Sequence, residues 1–267
     1  MPKAGDLKAS PPLICHMGPS GSGKTSVWLT LGDAVEVWDF DGNIRSGLFC
    51  GDGLDAQRAE ANVESFVESD PTSKATGFDK LKKKLTEARK KGGDYHAKVI
   101  VMDSLTSLCD SAMLWAQQAS GHLGQQPTTQ EWGVMAREVE SVVNALKVLP
   151  FATVLIAHDD IVNVKGENEI RLGVPGQKIK STLPPKLTDW WYQRTRQGAG
   201  DVTKFEILTC PQKGLDLYAS GPIPGVIDAS KGIEWVLNEM GFPPRPEDET
   251  KKGSATHESG EAPRASK

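Results

Sequence analysis

The sequence predicts an α/β fold, a mostly parallel sheet flanked by helices with added antiparallel hairpins. Three observations predict it. Apolar segments suited to buried strands recur at 13–17, 34–40, 98–103 and 153–157. Helical patterns lie between them: Leu81, Leu85 and Ala88 within 79–91, and Val134, Met135, Val139, Val142, Val143 and Leu146 within 131–149, which ends at Pro150. Strand–helix alternation of this kind implies a parallel sheet covered on both faces. After residue 158 the texture changes. Segments 161–165 and 170–174 flank Gly-Glu-Asn-Glu, and 190–196 and 202–208 flank Gln-Gly-Ala-Gly-Asp. Both read as hairpins that extend the sheet with antiparallel strands. Residues 230–240 read as a last helix, stopped by Gly241 and the two prolines that follow.

At 267 residues the chain is long enough for one large α/β domain or two small ones, and 38% apolar residues suffice for a buried core. About ten residues precede the first strand, so no N-terminal accessory domain is expected. The expected division is a short lead at 1–11, one domain at 12–242 and a tail at 243–267. That tail is dominated by Pro, Glu, Lys, Gly and Ser, a composition expected to be disordered. The net charge of −4 provides no global basic field, so any nucleic-acid binding must come from local patches. Cys15, Cys50, Cys109 and Cys210 show no metal-ligand spacing and fit a reducing interior. No apolar run approaches the length of a membrane span, which points to a cytoplasmic protein. The Gln/Gly/Thr-rich stretch 117–130 sits between two helices, and a linker of that length in a compact domain is often functional.

The most specific motif is Gly18-Pro19-Ser20-Gly21-Ser22-Gly23-Lys24-Thr25, a complete P-loop. It follows an apolar run and precedes a helical stretch with Ser26 in its first turn. Gly18, Gly21 and Gly23 let the backbone turn so that successive N–H groups point at phosphate oxygens. Lys24 reaches the β- and γ-phosphates, and the Thr25 hydroxyl is a magnesium ligand. The helix that begins there aims its positive end at the same anion.

Such a loop needs a second acid to hold Mg²⁺. Val99-Ile100-Val101-Met102-Asp103 supplies one at the end of a buried strand, with Ser104 and Thr106 available for supporting contacts. Asp103 either serves the metal or caps the following helix. The residue after it is Ser104, not Glu, so the group that activates water must come from elsewhere. Asp39 and Asp41 alternate with Trp38 and Phe40 at the end of the second strand, the ligand edge of a parallel sheet. Either carboxylate is placed to orient and deprotonate water, or Asp41-Gly42 merely makes a turn. The fourth strand ends in His158-Asp159-Asp160, where His158 is placed to sense the γ-phosphate or simply closes the strand.

Taken together, these motifs resemble the RecA-like ATPase core. More narrowly, they resemble the compact phage-encoded ATP-binding proteins of that superfamily, some of which serve in recombination by single-strand annealing. The resemblance covers about residues 12–240. It implies ATP and Mg²⁺ as cofactors, Lys24 and Thr25 as phosphate and metal residues, and Asp103 as the second metal-associated acid. It also implies Asp41 in the place of a catalytic Glu and His158 in the place of a γ-phosphate sensor that is often Gln. Segments 117–130 and 161–183 fall where recombinases carry their two DNA-binding loops. The usual Phe-x-x-Ala docking element is absent, although a homo-oligomer is still expected.

Lys165, Arg171, Lys178 and Lys180 are the candidate contacts to single-stranded DNA, with Lys186 nearby. Trp190 and Trp191 offer either stacking platforms or core and edge packing. The 80–91 run has seven basic residues in twelve, and its apolar stripe makes it a crossover helix with a solvated basic face. The resemblance to RecA-like cores also implies that Lys213, after the fifth strand region, contacts a nucleotide across a subunit interface. The expected function is a Mg-dependent ATPase acting with single-stranded DNA in recombination, annealing or replication, with a single-strand-binding protein as a further expected partner. The alternatives are a small-molecule kinase, for which the arginine-poor 117–130 loop argues badly, and a non-hydrolysing ATP-dependent switch or loader.

Overall fold

A computed structural model of the chain describes residues 10–242 except 69, 71, 73, 165 and 199–202. Lys165 and the tail at 243–267 therefore lie outside the described residues. The strands are β1 (Leu13–Gly18), β2 (Val35–Asp39), β3 (Asn62–Ser65), β4 (Val99–Asp103), β5 (Ala152–Val164), β6 (Glu167–Leu172), β7 (Asp189–Gln197), β8 (Thr203–Leu208) and β9 (Val226–Asp228). The helices are α1 (Lys24–Leu29), α2 (Arg45–Leu48), α3 (Asp55–Ala59), α4 (Gly77–Lys91), α5 (Leu105–Ser120), α6 (Thr129–Lys147), α7 (Gln177–Thr182) and α8 (Glu234–Glu239).

The sheet runs β3-β2-β4-β5-β1-β7-β8-β9, with β6 paired to β5. The pairs from β3 through to β7 are parallel, whereas β5–β6, β7–β8 and β8–β9 are antiparallel. Because strand side chains alternate faces, each central strand feeds two cores. Leu13, Cys15 and Met17 of β1 join Ile100, Met102 and Leu155 in one core, which includes buried residues of α4, α5 and α6. Ile14 joins Val35, Val37, Val99, Val101 and Val154 in the other, with residues of α1 and α8. The result is an α/β P-loop NTPase fold of the predicted class.

Four features differ from the sequence expectation. Residues 152–164 form one unbroken strand, and Glu167, Asn168 and Glu169, expected in a turn, belong to β6. The Asn163 carboxamide oxygen accepts from the Gly166 N–H at 3.1 Å, and Gly166 has φ 88°, so the chain reverses at once. The strand at 190–196, expected to be antiparallel, pairs parallel with β1, and only its partner β8 reverses. The last helix is interrupted: Gly232 at φ 74° separates a short 3₁₀ turn, Ala229–Lys231, from α8.

The fourth difference is the 117–130 linker, whose two ends are absorbed into α5 and α6, leaving eight loop residues at 121–128. Glu131 sets that boundary. It completes a capping box with Thr128 and takes hydrogen bonds from Ser120 and His122. Elements β3, β9, α2, α3 and α7 are too short to show a periodicity and were not expected. No helix among the described residues is long and apolar enough to cross a membrane.

Candidate functional site

Strand register gathers the motifs. Asp39 of β2 lies opposite Asp103 of β4, Asp103 lies opposite Ile156 of β5, and Gly18 of β1 lies opposite His158. The carboxyl ends of β1, β2 and β4, with His158 part-way along β5, thus form one edge, the edge that binds ligands in parallel α/β sheets. β7 closes the other side of β1 so tightly that a Cβ on Gly18 would sit 2.3 Å from the Gln193 carbonyl oxygen. Gly23, at φ 85°, turns the chain into α1.

Here a cavity of about 790 Å³ opens, within the usual range for small-molecule sites. Ser20, Gly21, Gly23, Lys24, Thr25 and Ser26 line it together with Asp41, Asp103 and His158. Gly18, Pro19 and Ser22 act from behind. The Lys24 ammonium donates to the carbonyl oxygens of Gly18 and Pro19, both at 2.8 Å, and the Ser22 carbonyl accepts from Gln193 Nε2 at 2.6 Å. Burial lowers the Lys24 pKa, an effect opposed by the carboxylates of Asp103, Asp159 and Asp41.

The Thr25 hydroxyl donates to Asp103 Oδ2 at 2.6 Å. Burial pushes the Asp103 carboxyl up to about 6, reinforced by the negative charges of Asp41 and Asp39 and opposed by the Thr25 hydrogen bond. Asp103 does not cap α5; Ser104, joined to it by a cis peptide bond, does so by accepting from the Ser107 N–H. The Asp39/Asp41 ambiguity also separates. Asp39 Oδ1 accepts from the N–H groups of Asp41 and Gly42, so Asp39 makes the turn. Asp41 faces the cavity, accepting from the Ser104 hydroxyl at 2.9 Å with His158 Nε2 at 3.8 Å. Burial would raise its pKa, but the groups of His158, Ser107 and Ser104 outweigh that and hold it below the ordinary carboxylate range.

Several contributors escaped the sequence reading. Arg58, 2% exposed, donates to both Asp52 oxygens at 2.6 and 2.7 Å, to Asp55 at 2.9 Å and to the Ser26 carbonyl at 3.0 Å. It thereby ties the α2–α3 segment to α1. Only the three-residue spacing of Asp55 and Arg58 hinted at this. Asp159 lies near Lys24 and accepts from the Tyr192 hydroxyl at 2.9 Å; alternation along β5 puts it on the face opposite His158. Gln193 and Phe205 come from strands far along the chain and carried no local signal.

Of the expected DNA contacts, Arg171, Lys178 and Lys180 lie among the described residues and do not line the cavity. Arg171 pairs with Glu169 at 2.7 Å and Lys180 with Asp160 at 3.0 Å, while Lys178 is exposed on α7. Lys213 pairs with Glu167 at 3.2 Å. Trp191 is fully buried, stacked on Trp28 beside His16, and Trp190 packs against Tyr218. The tryptophans are therefore packing residues. Most lysines of α4 that face the sheet edge or α6 are ion-paired: Lys80 and Lys84 with Glu64, Lys84 also with Glu36, and Lys82 with Glu138.

No curated protein matches the chain. The family model described as the AAA domain matches residues 10–191, more than half of the 267. The match takes in the P-loop, Asp41, Asp103 and His158, the residues that the fold brings to one edge. With the phosphate loop, the acid beside Thr25 and the cavity they line, this chain belongs to the AAA domain family of ATP-binding P-loop proteins.

Proposed function

We propose that this protein binds ATP with Mg²⁺ and hydrolyses it to ADP and phosphate. One observation carries the hydrolytic reading: the Asp41 carboxylate faces the cavity between the Ser104 hydroxyl and His158, on the same strand edge as Lys24 and Asp103. A buried carboxylate bonded to a hydroxyl is a hard oxygen donor set, which fits Mg²⁺. Thr25 and Asp103 would hold the ion, which neutralises charge on the phosphate oxygens when bound. Lys24 supplies a second positive charge there. With its pKa below the ordinary range, Asp41 is ionised at neutral pH and accepts a hydrogen bond from the attacking water. It then takes that water's proton as the bond to the leaving ADP oxygen breaks. His158 orients Asp41 and faces the terminal phosphate.

The test is phosphate release from Mg-ATP, with Lys24→Ala as control. Turnover by the unaltered chain that is absent in the variant supports the reading. ATP binding with no turnover overturns hydrolysis and favours a switch or loader, and phosphate transfer to a small hydroxylated acceptor favours a kinase.

A second reading makes single-stranded DNA the partner of this cycle, in recombination or annealing, with several copies of the chain acting together and a single-strand-binding protein alongside. Its support is that β5 runs without a break from the ATP edge into the β5–β6 hairpin, so a shift at His158 is carried to its tip. The unpaired basic groups favour a different path from the expected one. Lys178, and Arg196 and Lys204, which face each other across β7–β8, make no ion pair among the described residues. Stimulation of turnover by an oligothymidylate tests this reading, and unchanged turnover with no binding of the strand overturns it.

A further inference from the structure

We infer that the base of the bound nucleotide stacks on Phe205, between that ring and the turn at 50–52; this rests on the ATP-binding reading above. The phosphate end of the cavity is fixed by Lys24 and Thr25, but the cavity continues over the first turn of α1 between two walls. One wall is the α2–α3 segment, with Cys50, Asp52 and Arg58. The other comes from β7 and β8, with Gln193, Thr203 and Phe205.

Phe205 is the one Phe, Tyr or Trp side chain lining the cavity among the described residues. Alternation along β8 turns Thr203 and Phe205 toward it, whereas Glu206 pairs with Arg194. The ring is held in place. It packs against the core that contains Ile207, and a Cβ on Gly23 would lie 3.4 Å from its Cδ1. An aromatic ring fixed beside the phosphate loop and facing a cavity is a surface on which a flat heterocycle gains by stacking.

A second observation points to a ligand at the same wall. Gln193 is 1% exposed and its Nε2 is committed to Ser22, yet its Oε1 has no hydrogen-bond partner among the described residues. A buried acceptor left unpaired is costly, and a ribose hydroxyl or a base amine is the class of donor that would satisfy it. The facing wall is braced to hold its distance. The N–H groups of Cys50 and Gly51 donate to Asp55 at 2.9 and 3.2 Å, and Arg58 locks Asp52. Cys50 is exposed there and reports on occupancy.

The experiment compares ATP with inorganic tripolyphosphate, which offers the phosphates without a base, by calorimetry on the full chain. Phe205→Leu is expected to weaken ATP binding about 10-fold while tripolyphosphate binding is unchanged, which also shows the fold intact, and Phe205→Trp to restore ATP affinity. In the unaltered chain, ATP but not tripolyphosphate is expected to slow alkylation of Cys50 by iodoacetamide, read by mass spectrometry against Cys210. Equal ATP affinity in Phe205→Leu, or equal protection of Cys50 by both ligands, overturns the inference. Binding of neither ligand by the unaltered chain overturns the ATP site itself, and the base platform with it.

Discussion

Thr25 and Asp103, 78 residues apart, meet through a 2.6 Å hydrogen bond that joins the end of the phosphate loop to the end of β4. That contact depends on register. β1 and β4 are both neighbours of β5, and parallel pairing brings their carboxyl ends level.

Lys24→Ala removes the cation that faces three carboxylates and the phosphate end of the cavity. Loss of a charged hydrogen-bonding group predicts ATP affinity lower by about 100-fold. Calorimetric titration at fixed Mg²⁺ checks this, and an unchanged Kd would remove Lys24 from the phosphate contacts.

Asp41→Asn keeps the shape but cannot take a proton. Turnover is expected to fall by about 10²- to 10⁴-fold with ATP affinity retained. Asp39→Asn, which disturbs only the turn carboxylate, is expected to cost far less turnover. Single-turnover kinetics on both variants decides the matter, and the reverse order would move the base to Asp39.

Breaking the Arg58 contacts should destabilise the chain. Arg58 is almost fully buried, but Asp52 is about a quarter exposed, which puts the expected cost of Arg58→Met at about 3 kcal/mol, the lower end for a buried pair. Urea unfolding measures it. A change under about 0.5 kcal/mol, the range of an ordinary surface substitution, would show that the segment does not need the brace.

His16 makes stability pH-dependent. It is fully buried, accepts from Trp28 Nε1 at 2.7 Å, and burial lowers its pKa to about 3, with Lys24 adding to the shift. The unfolded ring binds a proton near 6.5 and the folded one does not. The unfolded state is therefore favoured as pH falls below 6.5, and the loss continues down to about 3. Between pH 7 and 5 this group alone removes about 2 kcal/mol. His16→Gln keeps an acceptor for Trp28 and should flatten that part of the stability–pH curve. An identical slope in both proteins would mean that His16 is not the group responsible.

Much of the site was legible because its signals are local. The P-loop spacing, the apolar run ending in Asp103 and the apolar run that leads into His158 are each contained in a few consecutive residues. The choice between Asp39 and Asp41 was not legible, since alternation puts both on the same face. It was made by the backbone turn at Gly42, which occupies one carboxylate and leaves the other to Ser104 and His158. The partners of the basic residues were not legible for a related reason. Charge is visible in sequence, but the partners of Arg171, Lys180 and the α4 lysines are set by pairing and packing.

By itself, then, the sequence determined the fold class, the phosphate loop and the acid beside it, because spacing and periodicity are properties of neighbouring residues. Only the tertiary structure decided that Gln193, Phe205 and Arg58 build the rest of the cavity. Gln193 meets Ser22 across 171 positions and Arg58 meets Ser26 across 32. Contacts at those separations follow from strand order, and no local pattern encodes strand order.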